Sequence, residues 1–128
     1  MTIVGIGVDL VSIDRVRAIT QRWHDRFLAR IYSDAERQDC FRRTTPYASL
    51  AGRFAAKEAI LKALGVGWAM GVRWRDVQVM NDAAGRPVAR VEGRVQALVK
   101  EAGVTGIHVS LSHDGNYAIA QAILTRDR

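Results

Sequence analysis

Ala48-Ser49-Leu50-Ala51-Gly52-Arg53-Phe54-Ala55-Ala56-Lys57-Glu58-Ala59-Ile60-Leu61-Lys62-Ala63-Leu64 is small or apolar nearly all the way round, yet it carries four charges, Arg53, Lys57, Glu58 and Lys62. Such a stretch predicts a long, largely buried central helix, and charge buried there is costly unless something pairs with it. At about 100° per residue, Leu50, Phe54, Leu61 and Leu64 form a bulky stripe. Ala51, Ala55, Ala59 and Ala63 form a slim face that lets a neighbouring backbone or ligand come close. Glu58 and Lys62, four residues apart, project only about 40° from each other. An ordinary ion pair is the simplest account of them. The alternative is a site in which a hard metal binds a carboxylate and a phosphate while lysine neutralises that phosphate. Gly65 stands where it can cap the helix C-terminus.

Before this helix, Thr2-Ile3-Val4-Gly5-Ile6-Gly7-Val8 alternates as a strand, with glycines where something approaches its backbone closely. Asp9 falls at its end, a position suited equally to opening a loop and to holding a metal. Ser12 can cap the next helix, with Asp14 favourable in its first turn. Val16, Ile19, Trp23 and Phe27 then recur at helical spacing. Arg15, Arg22 and Arg26 share another face if that helix continues unbroken, giving either a solvated surface or a docking stripe for an anion. Ser33-Asp34-Ala35-Glu36 matches a capping box and starts a short helix that fades through residues 41–45. Pro46 ends the loop and precedes the central helix.

The second half is richer in strands. Val77-Gln78-Val79-Met80 and Pro87-Val88-Ala89-Arg90-Val91 flank a turn-forming segment from Asn81 to Arg86 and predict a hairpin. A helix from about Gly93 to Ala102 follows, stopped by Gly103. Ile107, Val109 and Leu111 alternate with polar residues, and Asp114-Gly115-Asn116 turns the chain into a last strand from Tyr117 to Ile123. The fold class is α+β.

With 128 residues the chain suits one domain, residues 1–128. At 48% hydrophobic and 25% charged it has an ordinary globular composition. No apolar run is long enough to span a bilayer, and the chain begins directly with a strand pattern rather than a signal sequence, so the expectation is a cytoplasmic protein without a membrane partner. The lone Cys40 excludes an internal disulfide and a cysteine zinc cage. A net charge of +6 favours an anionic partner, and nucleic acid, anionic lipid, a phosphorylated cofactor and an acidic protein all satisfy it.

Several motifs fail on geometry. Ser112, His113 and Asp114 cannot form a catalytic triad, because neighbouring strand residues point to opposite faces. Gly5-Ile6-Gly7 lacks the third glycine and helix of a dinucleotide fingerprint, and no glycine-rich phosphate loop occurs. His113 itself, ending a strand beside a turn, can lean into a site.

Three segments together resemble the holo-acyl-carrier-protein synthases of the 4′-phosphopantetheinyl transferase superfamily. They are Gly5-Ile6-Gly7-Val8-Asp9-Leu10 with Arg15, then Arg53-Phe54-Ala55-Ala56-Lys57-Glu58-Ala59 through Lys62-Ala63, then His108-Val109-Ser110-Leu111-Ser112-His113. The resemblance spans essentially the whole chain, in the family's order and spacing. It implies an antiparallel sheet packed with the long central helix, in a homotrimer with active sites between subunits. It further implies transfer of phosphopantetheine from coenzyme A to a serine of apo-acyl carrier protein, releasing adenosine 3′,5′-bisphosphate. Asp9 and Glu58 align with the family's Mg²⁺-binding acids, and Lys62 would stabilise the departing phosphate. A metal-bound water, Glu58 and Asp9 remain alternative proton acceptors. By motif position Arg53, Phe54, Lys62, Gly65, Gly67 and His113 would contact coenzyme A, with Arg86 and Pro87 contributed by a neighbouring subunit. Arg15, with Arg22 and Arg26, would dock the acidic carrier protein. Lys57 has no assigned role, and its stem can lie buried while its amine reaches phosphate or solvent.

The rival from another class is a non-enzymatic, basic nucleic-acid-binding domain using the arginine stripe on phosphates. It leaves Asp9 and Glu58 without a task, since acids repel that ligand.

Overall fold

The computed structural model describes residues 1–67 and 70–127. The chain runs β1 (Thr2–Ser12), α1 (Ile13–Trp23), α2 (Asp25–Ile31), α3 (Asp34–Arg42), α4 (Pro46–Leu64), a short 3₁₀ turn (Trp74–Asp76), β2 (Val77–Asn81), β3 (Pro87–Val91), α5 (Gly93–Glu101), β4 (Gly106–Asp114) and β5 (Tyr117–Arg126). Two antiparallel sheets result, one of three strands in the order β1-β5-β4 and one hairpin of β2 and β3.

Strand alternation gives the larger sheet two different faces. Ala118, Ala120, Ala122 and Leu124 of β5 are buried beneath α4, whereas Ile6, Val8 and Leu10 of β1 and Tyr117 and Ile119 of β5 lie exposed on the other face. Where α4 crosses β1 and the first part of β5, the buried face is built from glycine and alanine, and α4 meets it with its own small side. A Cβ on Gly5 would stand 1.8 Å from the Ala63 carbonyl oxygen, and one on Gly7 1.9 Å from that of Ala59. The expected close approach to the glycine strand is therefore made by the alanine face of the central helix.

Gly7→Ala should accordingly destabilise the fold at or beyond the upper end of the ~1–3 kcal/mol typical of overpacking, because the obstacle is backbone rather than a movable side chain. A thermal melt should show a fall of roughly 10 °C, and a change under about 2 °C would mean that α4 is not pressed on β1.

α4 joins two cores. Its first half packs Leu50 and Ala51 with Ile13, Val16, Leu28, Ile31 and Tyr32. Its second half packs Ile60, Leu61 and Ala63 with Val77, Val79, Val95 and Leu124.

The capping signals act as the sequence predicts. Ser12 Oγ accepts from the Arg15 amide at 3.2 Å, and Ser33 and Glu36 form a reciprocal capping box. Gly65 ends α4 in the left-handed conformation at φ 74°.

Three expectations need correction. β1 does not end before Asp9; Leu10 and Val11 continue the pairing with β5, so Asp9 lies within the strand, opposite Ala120. Pro46 is the first residue of α4 rather than part of the loop before it, since the first helical turn needs no proline N–H. The helix bearing Val16 and Phe27 is broken at His24, where φ is 45°. The break swings Leu28 and Ile31 into the core, and Phe27 meets the Tyr32 ring edge-on at 6.2 Å. Arg15, Arg22 and Arg26 are thus not one continuous helical face.

Candidate active site

Phe54, Glu58 and Lys62 follow one another at intervals of four along α4, so they form one stripe beside β1. Lys62 Nζ donates to Asp9 Oδ1 at 2.8 Å and to the Val8 carbonyl at 3.1 Å. The simple Glu58–Lys62 ion pair is therefore replaced by an Asp9–Lys62 pair, which spans helix and strand. Glu58 Oε1 accepts instead from the Trp74 indole N–H at 2.7 Å, and the Trp74 ring stacks on Phe54 with centroids 6.1 Å apart.

Burial raises the Glu58 pKa above the ordinary glutamate range; the Trp74 hydrogen bond opposes that, the Asp9 charge adds to it and Lys62 opposes it. Two carboxylates in mutual repulsion beside one ammonium make a pocket edge that gains by taking up a cation. Among the described residues no group of three or more His, Cys, Asp or Glu side chains gathers to hold a metal. The pair therefore fits a hard cation that draws its remaining ligands from water and a bound phosphate, and does not fit a closed all-protein cage.

Arg53 projects about 140° from Glu58 and about 180° from Lys62 around the α4 axis. It is buried, and its guanidinium bonds the Asp39 carboxylate and, at 3.3 Å, Asn81 Oδ1. Burial alone would push the Asp39 carboxyl up, but hydrogen bonds from Arg43 and Arg53 outweigh it and hold the pKa below the usual range. Arg42 adds a third guanidinium at 3.0 Å, so one carboxylate serves three cations and the cluster keeps an excess of positive charge. Arg53, Arg43, Pro87 and His113 line one cavity of about 250 Å³ with Asn81 and Ser112.

The expected site residues thus fall on two flanks of α4. Asp9, Phe54, Glu58 and Lys62 lie by β1; Arg53, Pro87 and His113 lie toward β4, the opposite edge of the sheet. Gly65 caps α4 and Gly67 follows it at the surface. Arg86, in the β2–β3 turn, is exposed and donates to Asp82 at 3.2 Å.

Lys57 departs from expectation. Its amine does not reach solvent but donates to Glu36 Oε1 at 2.8 Å, to the Trp74 carbonyl at 3.2 Å and to the Val77 carbonyl, all within the core. Burial draws its pKa down, against the pull of Glu36. Of the arginines on the helices, Arg15 and Arg22 lie two turns apart on one face of α1. Arg26 follows the break, yet Arg22 and Arg26 flank the same Trp23 ring at 5.1 and 5.8 Å. Trp74 and Asp39 escaped the sequence reading because neither sits in a periodic run or a spaced motif.

The family model described as the 4′-phosphopantetheinyl transferase superfamily matches residues 5–122. A holo-[acyl-carrier-protein] synthase of Syntrophus aciditrophicus is 44% identical over 120 residues, 94% of each chain. The crystal structure of a holo-[acyl-carrier-protein] synthase from Neisseria meningitidis superposes with a TM-score of 0.89 at 30% identity, covering 98% of this chain and 100% of that one. A Helicobacter pylori synthase in complex with coenzyme A gives 0.83 at 30% identity, over 94% and 99% of the two chains.

Proposed function

This chain belongs to the 4′-phosphopantetheinyl transferase superfamily, and on that basis we propose that it is a holo-acyl-carrier-protein synthase, built as one domain over residues 1–128. It transfers phosphopantetheine from coenzyme A to a serine of apo-acyl carrier protein and releases adenosine 3′,5′-bisphosphate. The observation that carries this reading is the placement of Asp9, Glu58 and Lys62 at one edge of α4, two carboxylates and an ammonium suited to a pyrophosphate.

Asp9 and Glu58 would hold Mg²⁺, which when bound supplies charge neutralisation at the pyrophosphate. Lys62 uses two ammonium hydrogens on Asp9 and the Val8 carbonyl, leaving a third for an oxygen of the departing phosphate. Asp9 thereby aims the ammonium. Little covalent chemistry is asked of the protein; positioning and charge do most of the work.

Two flanks with complementary equipment argue for a shared site. The outer sheet face offers Ile6 and Leu10 at 60% and 62% exposure, with Val8, Tyr117 and Ile119 beside them. Apolar area of that kind is a contact surface. Three copies closing a ring would bury it and set the β1 flank of one subunit against the Arg53, Pro87 and His113 flank of the next. Leu10→Asp should then give monomers by light scattering and lose coenzyme A binding. A fully active monomer would remove the shared site.

Arg15, Arg22 and Arg26 would dock the acidic carrier, with Trp23 holding the last two together. The deciding experiment incubates the chain with apo-acyl carrier protein and coenzyme A, with and without Mg²⁺, and weighs the carrier. A gain of one phosphopantetheine arm that requires Mg²⁺ supports the function, and no gain across several carriers overturns it. Salt should raise the KM for carrier more than that for coenzyme A. Salt-dependent binding to nucleic acid without coenzyme A affinity would favour the non-enzymatic alternative.

A further inference from the structure

Trp74 connects the proposed site to the interior. Its indole N–H donates to Glu58 Oε1 at 2.7 Å, and no hydrogen bond to Oε2 occurs among the described residues. One face of its ring stacks on Phe54, at an interplanar angle of 26°, and the Arg30 guanidinium lies over the ring at 5.9 Å from its centre. Its own carbonyl accepts from Lys57 Nζ, whose amine is fixed by the buried Glu36 carboxylate. The ring is therefore held by stacking and the backbone by a core ion pair. A donor fixed at both ends presents its N–H at a defined point.

Glu58 is otherwise a long side chain with three rotatable torsions, half-buried, and repelled by Asp9. Among the described residues the Trp74 indole makes the side-chain hydrogen bond that sets which way this carboxylate points. Resting on the reading of Asp9 and Glu58 as cation-binding acids, we infer that Trp74 is a positioning residue that holds Glu58 Oε1 by its indole N–H and leaves Oε2 for the cation. Outer hydrogen-bond partners of metal ligands typically govern affinity by about 10–100-fold. The pathway also gives Lys57 and Glu36 a distant share in the site, through the Trp74 carbonyl.

Trp74→Phe removes the N–H while keeping a ring for Phe54 and Arg30. Mn²⁺, used as the probe cation, should bind at least about 10-fold more weakly in the presence of coenzyme A, read by the paramagnetic resonance of free Mn²⁺. The half-saturating Mg²⁺ for transfer should rise in parallel, while the KM for coenzyme A and the melting temperature stay near those of the unsubstituted chain. The loss on Trp74→Phe should vanish in a Glu58→Gln background, since the effect acts through that carboxylate.

Unaltered Mn²⁺ affinity in Trp74→Phe overturns the inference, as does an equal loss with and without the Glu58 carboxylate. Should the variant fail to fold, the unsubstituted ¹⁵N-labelled chain still decides. The Trp74 indole proton should shift on saturation with Mg²⁺ and coenzyme A, and a stationary resonance overturns the inference. If the unsubstituted chain transfers no phosphopantetheine at all, the proposed function falls instead, and the two failures are told apart.

Discussion

Lys57→Met is expected to destabilise the folded chain by about 3–5 kcal/mol, the range seen when one partner of a buried ion pair is removed. Lys57 and Glu36 are both fully buried, and the three ammonium hydrogens meet three acceptors, Glu36 Oε1 and the carbonyls of Trp74 and Val77. Glu36 in turn accepts from the Ser33 and Val79 amides at 2.9 Å each. Methionine fills the stem's volume but leaves the Glu36 charge without a cation and takes the Lys57 donor from the Val77 carbonyl, while the Trp74 carbonyl keeps the Val77 amide. Glu36→Gln in the same chain removes the orphaned charge, so the double variant should recover much of the loss. Urea titration of the single and double variants measures this directly. Equal losses in both would show that the packing of the lysine stem, not the pair, carries the stability.

The site and the fold were legible to different depths, for identifiable reasons. Local rules worked: Ser33 and Glu36 cap a helix through atoms three residues apart, and Gly65 ends one through its own backbone. The alanine face and the glycine strand were readable because small residues at fixed spacing mean close approach, although only the structure shows that the two features meet. The break at His24 was not readable, since apolar periodicity runs through it from Val16 to Phe27 and no glycine or proline marks it. Tertiary contacts of Leu28 and Ile31 decide it.

Lys57 was obscured for another reason. Its partner lies 21 residues earlier in a capping box, where Glu36 already had a local explanation. The division of the site was latent in the numbering. Arg53 and Lys62 are nine residues apart, about half a turn out of phase, so one helix cannot aim both at a single ligand. That arithmetic, taken with the exposed apolar sheet face, is what supports the proposal of a site shared between copies.

Glu58→Gln should lower turnover at least about 100-fold, the scale of removing a group aimed at transition-state charge. The substitution keeps size and the acceptor for the Trp74 indole, and removes only the negative charge. The fold should not suffer for it. Burial raises the Glu58 pKa, so its charged form is disfavoured in the folded state relative to the unfolded one. That cost is fully present at neutral pH and disappears as the pH falls below the ordinary glutamate range, because the folded state there binds no more protons than the unfolded chain. At pH 7 the variant should therefore melt at the same temperature as the unsubstituted chain or higher, whereas near pH 3 the two should converge. Lost activity with unchanged or increased stability is the signature of a charge held in place for chemistry rather than for folding. The measurement pairs Mg²⁺-dependent carrier labelling with thermal melts at the two pH values. A variant that keeps its turnover removes Glu58 from the reaction, and one that melts well below the unsubstituted chain at pH 7 returns it to the structural role first considered for the central helix.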